Sequence, residues 1–234
     1  RYELAAERRT SALDRVRQFV AAHPDNLEGQ WGLFRILRRV GEDRDDPQLI
    51  DEARDALARL EQRLLEVDRP EQTIRVASTV AEMPPAAADG NDGADDGNDG
   101  QATDRYDRAV ALLTHVTDNH PDDIPALVQL GGLMIRQNRL DEAGAYFQRA
   151  REDRPITVSL DTLTTTRLRI VATQRLADVH LMKHERADDA EARQRALDRA
   201  DELVAELGQM TGQDSGMARW MQGKLALIQD RPRE

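Results

Sequence analysis

The strongest constraint on this chain is a spacing. Between Ile124 and Thr157, a span of 34 residues, Leu127, Leu130 and Met134 stand three and four apart with Gly131 among them, and Ala143, Phe147, Ala150 and Pro155 follow. The first three predict the buried stripe of one helix, and Ala143, Phe147 and Ala150 that of a second. Small residues at Gly131, Ala143 and Ala150 let two antiparallel helices approach closely, and Pro155 stops the second. Ala109, Leu113, Val116 and Pro121 stand 34 residues before Ala143, Phe147, Ala150 and Pro155, so the unit recurs. One helix pair of this size cannot bury its apolar faces alone, and its neighbours must stack on it.

Apolar, small and proline residues at these places resemble the tetratricopeptide repeat. The resemblance implies an all-α fold: antiparallel helix pairs stacked into a right-handed superhelical solenoid. Composition agrees, since aromatic residues make up only 3% and a sheet protein of 234 residues would use more of them. Carried along the chain, the resemblance gives a partial repeat at 1–24 and a repeat at 27–69. A third repeat follows at 70–123, the clearest at 124–157, and a long divergent pair at 158–213. The first helix of a further repeat stands at 216–234. The charged segments EDRDDP and ERADDAEA read as turns longer than the family's. QDRPRE at the end aligns with QNRLDE at 137–142, and the chain opens on Arg1, so it is expected to be a piece of a larger array.

The net charge is −11, of which Asp89, Asp92, Asp95, Asp96, Asp99 and Asp104 supply six. They lie in 84–104, PPAAADGNDGADDGNDGQATD, which interrupts the third repeat and is expected to be a mobile loop. An EF-hand reading fails: starting at Asp95, the third position is Gly97 and the twelfth is Tyr106. A second expectation for this loop is that it folds back over a basic groove as a salt-sensitive plug. No basic face is marked, which argues against nucleic acid as a partner. There is no cysteine, and no apolar run approaches a membrane span.

Catalytic signatures are missing. The sequence has no GxSxG, no phosphate-binding loop and no GxGxxG after a strand, and no cofactor or metal is expected. His180 and His184 share a helical face at the spacing of a metal pair, but Leu181 stands where a zincin needs glutamate. Packing or surface roles are expected for both.

What the resemblance leaves is a groove. In the family, ligands lie along a concave surface lined by the first helix of each pair. Carried onto the clearest repeat, the lining is Pro125, Val128, Gly132, Ile135 and Arg136. The first full repeat contributes Trp31, Arg35, Arg38 and Arg39, and the last helix Trp220 and Lys224. That lining is apolar to basic, and the ligand expected is a protein or peptide with acidic and hydrophobic groups. The chaperone-binding members' carboxylate clamp is not matched, because Val128 and Gly132 occupy two of its places. Two other readings stand beside this one: a recruiting or regulatory segment of a larger enzyme, and a spacer without a ligand.

Overall fold

The computed structural model describes residues 2–83, 97–152 and 161–229, with side chains described from Ser11 and from Thr103 onward in the first two stretches. Among them are ten helices and no strand, so the fold is an all-α helical repeat. The chain divides into two compact units, Arg1–Arg69 and Pro70–Glu234.

The first unit holds α1 (Tyr2–Ala22), α2 (Leu27–Arg44) and α3 (Pro47–Leu64). Phe34 and Leu37 of α2 meet Leu57, Leu60 and Leu64 of α3 in a core that excludes water. The charged segment between them is not a long turn. Helix α2 runs on to Arg44, Asp45 takes the left-handed conformation (φ 53°), and Asp46 caps α3 by accepting from the backbone N–H groups of Gln48 and Leu49. Pro47 then enters at the first helical turn, where its missing N–H costs nothing. The extra residues lengthen the helices to 18 residues each, against 13 and 12 in the clearest repeat. Arg17 of α1 forms a two-pronged ion pair with Glu52 of α3, tying the first helix to the third.

The second unit holds α4 (Pro70–Glu82), α5 (Gly97–Asn119), α6 (Ile124–Arg136), α7 (Leu140–Arg151), α8 (Thr162–Arg186), α9 (Ala190–Thr211) and α10 (Gly216–Gln229). Each helix packs on the next in sequence, and α4, α6 and α8 also pack on one another in turn. Leu112, Leu113, Leu127, Leu130, Met134, Phe147 and Leu181 are the largest of its fully buried side chains. At Gly131 the absence of a side chain is required, because an added Cβ would stand 2.6 Å from the Phe147 ring. The tight link from α6 to α7 uses Asn138 at φ 62°, a backbone state that asparagine tolerates.

Two expectations are corrected here. The stretch from Gly97 to Asp104 was expected to be loop but belongs to α5. It holds no proline, Gln101 and Ala102 favour helix, and Asp99 lies in the first turn, where a negative charge suits the helix dipole. ERADDAEA is likewise not a long turn. Helix α8 extends through Arg186 to a length of 25 residues, and Asp189 caps α9 by accepting from Ala192 N–H at 2.7 Å. The rest of the Asp-rich segment, at 84–96, lies outside the described residues, and with it the loop, calcium and plug readings. So do 153–160, with Pro155, and 230–234.

Candidate binding face

On α6 the apolar pattern divides the helix cleanly. Leu127, Leu130, Gly131 and Met134 are buried, while Pro125, Val128, Gly132, Ile135 and Arg136 follow along the side left open. Val128 and Ile135 are half-buried. Arg136 is exposed, with its guanidinium 5.9 Å from the centre of the Tyr106 ring on α5. Burial pushes the Tyr106 phenol up, but hydrogen bonds and charge from Arg105 and Arg136 outweigh it and hold the group below its ordinary range.

Neighbouring helices extend this face. Ser78 Oγ on α4 donates to Gln129 Oε1 on α6 at 2.8 Å. On α8, Arg167, Val171, Arg175, Asp178 and Met182 follow at intervals of four and three, so they share one side of the helix. Arg167 and Arg175 are exposed and form no ion pair among the described residues. Asp178 is only 7% exposed, and Lys224 of α10 donates to its Oδ1 at 2.6 Å. The Lys224 ammonium also stands 5.4 Å from the centre of the Trp220 ring, which is 54% exposed. The first helices of successive pairs therefore present an apolar floor with arginines standing on it, and the partly exposed Lys224–Asp178 ion pair joins α10 to α8.

Of the residues expected to line a groove, Val128, Gly132, Ile135, Arg136, Trp220 and Lys224 belong to the second unit and lie on this face. Lys224 is committed to Asp178 and is not a free cation. In the first unit, Arg35 is exposed, Arg38 pairs with Glu42 at 2.7 Å and Arg39 with Asp43 at 3.5 Å. Trp31 is a core residue instead: it is 9% exposed and tilts against Phe34 with ring centres 5.3 Å apart. Its spacing from Phe34 and Leu37 puts it on the buried stripe. The contribution of α8 was missed, although the signal was present. Leu176 and Ala177 play the parts of Leu130 and Gly131, and the same offsets then give Val171, Gln174, Asp178, Leu181 and Met182, of which Leu181 is buried in the core.

The two histidines of α8 go separate ways. His184 Nδ1 lies 2.9 Å from the Arg193 carbonyl oxygen, and no cluster of metal-ligating side chains occurs among the described residues. His180 is half-buried against α9, and burial pushes its imidazole down to about 4. Lys183 and Arg199 push the same way, and Glu202 opposes them. The folded state thus keeps His180 neutral where the unfolded chain, near 6.5, is taking up a proton. Stability is unaffected by this group above pH 6.5 and is lost as pH falls from 6.5 towards 4. Urea melts of the wild type and His180→Leu at pH 7 and pH 4.5 should show a smaller pH-dependent loss in the variant. Equal losses would contradict this.

No match is found among curated proteins. Residues 101–156, which include most of α5 and all of α6 and α7, match the family model described as tetratricopeptide repeat. The described fold is similar to the crystal structure of MamA protein, with a TM-score of 0.51 and 13% identity over 92% of this chain and 90% of that one. At that identity the likeness speaks for the fold. Together with the repeat spacing and the stacked helix pairs, these findings show an all-α helical-repeat fold whose residues 101–156 match the tetratricopeptide repeat.

Proposed function

We propose that the chain is a scaffold or adaptor whose second unit binds a protein or peptide segment carrying hydrophobic and acidic side chains. A tetratricopeptide-type array supports protein interaction in general. One observation supports the finer reading: in a chain of net charge −11, the open face of α6 and α8 carries Arg136, Arg167 and Arg175 around Val128, Ile135, Val171 and Met182. Arginines on an apolar, partly desolvated floor attract carboxylates more strongly than surface charges do, while the floor takes up aliphatic or aromatic groups. On this reading the chain performs no chemistry of its own. No described helix is long and apolar enough to cross a membrane.

The test is selection from a random peptide display library on the purified protein. Enriched sequences should combine Asp or Glu with Leu, Ile or Phe. They should lose binding by more than about tenfold against a triple variant, Arg136→Glu, Arg167→Glu and Arg175→Glu. Enrichment of basic sequences, or binding untouched by the triple variant, would contradict the reading. The latter would favour a surface elsewhere or a recruiting role within a larger enzyme. Failure to enrich any sequence would favour a spacer.

A further inference from the structure

Glycine inside a helix weakens it, so each one needs a reason. On α6 two glycines stand side by side and have opposite surroundings. Gly131 faces Phe147 and has no room for a methyl group. Gly132 faces outward, half-exposed, and a Cβ built on it would meet no atom within 4 Å. Internal packing therefore does not call for glycine at 132, and alanine would make the better helix. Val128 stands one turn before it, with Ile135 and Arg136 one turn after, so bare backbone forms a notch between two aliphatic side chains and an arginine. The arrangement recurs in the first unit: Gly32 of α2 also has open space where a Cβ would stand, and exposed Arg35 follows it on the same face.

From this geometry we propose that Gly132 is the floor of a specificity notch that takes one bulky apolar side chain of an acidic partner segment. Missing side-chain volume at a half-buried apolar site admits a large group to van der Waals contact with the backbone and with Val128 and Ile135. Charge selects the segment that brings it. Arg136 lies one turn along the same helix, and Arg167 and Arg175, which pair with no carboxylate among the described residues, stand on α8, which packs against α6, so carboxylates flanking the anchor meet cations. Filling the notch from within would stabilise the protein and weaken the ligand. This inference rests on the binding face proposed above and names the feature of the ligand that it reads.

The probes are synthetic 12-residue peptides of fixed Glu- and Ser-rich sequence that differ at one central position, which is Ala, Leu, Phe or Trp. Binding to the full chain is measured by fluorescence anisotropy and melting by calorimetry. Leu, Phe and Trp peptides should bind wild type more tightly than the Ala peptide. Gly132→Ala should raise Tm by about 3 °C. It should also weaken the large-anchor peptides about fivefold while leaving the Ala peptide unchanged. Gly132→Leu should abolish the preference for a large anchor. If Gly132→Ala raises Tm but anchor preference persists, the notch is overturned while the acidic binding face stands, provided the triple Arg→Glu variant still loses the peptides. If Gly132→Ala lowers Tm, glycine serves the fold and the notch is again overturned. Peptides that bind wild type and the triple variant equally would overturn both the notch and the face.

Discussion

Gly131→Val is expected to destabilise the second unit by about 3 kcal/mol. A Cβ at this position would lie 2.6, 2.7 and 2.9 Å from Cζ, Cε1 and Cδ1 of Phe147, all inside van der Waals contact. The ring cannot step aside, because Phe147 is 0% exposed and is packed on every side. Valine adds two further methyl groups and, being β-branched, recovers little of the helix propensity that Gly→Ala would gain. The cost should appear as a lower urea midpoint with an unchanged slope. Combining the change with Phe147→Leu should cost less than the sum of the two single changes, since the smaller side chain vacates the space. An effect of Gly131→Val below about 0.5 kcal/mol would mean that α6 and α7 are not pressed together at this point.

Lys224→Met is expected to release α10. Asp178 is nearly buried on α8, and the ammonium 2.6 Å away is the positive charge that compensates it. Removing that charge strands a carboxylate in a poor solvent, which costs 3–5 kcal/mol when both partners are fully buried. Here the Lys224 side chain is 39% exposed, so water can reach the site and a loss of about 2 kcal/mol is expected. Since the pair fastens α10 to α8, the loss should appear first as faster amide hydrogen exchange between Gly216 and Gln229. Asp178→Asn in the Lys224→Met background should restore much of the protection, because the amide needs no counter-charge. Unchanged exchange in Lys224→Met would contradict this account of how α10 is held.

How far the sequence could be read follows from what each feature depends on. Gly131, Phe147 and their spacing were legible because they satisfy a local rule: helical period combined with a place too narrow for a side chain. The candidate lining of α6 came from the resemblance to the repeat family, carried over position by position. Trp31 was misplaced because a large amphipathic residue suits either a core or a groove, and only its packing on Phe34 decides between them. The two charged segments read as long turns because charge resembles solvent exposure. A lengthened helix also exposes charge, and the tight Asp45–Asp46 link depends on a left-handed backbone state that composition does not announce. Lys224 read as a free groove cation for a related reason. Its partner Asp178 is 46 residues away, and no local pattern connects the two. Arg167 and Arg175 were passed over because α8 departs from the repeat length, and the register set by Leu176 and Ala177 puts them opposite Pro121 and Gln129, outside the family's lining positions.

Methyl NMR of the full chain, titrated with a peptide obtained from the selection experiment, locates the binding face without any substitution. Shifts are expected to concentrate on Val128, Ile135, Val171 and Met182, which share the open face of α6 and α8. Methyl groups of Leu112 and Leu113 on α5 and of Leu203 and Val204 on α9, buried on the second helices of their pairs, should move little. Shifts confined to α5, α7 and α9, with the four face residues unmoved, would place the ligand on the other side of the helix pairs and contradict the account.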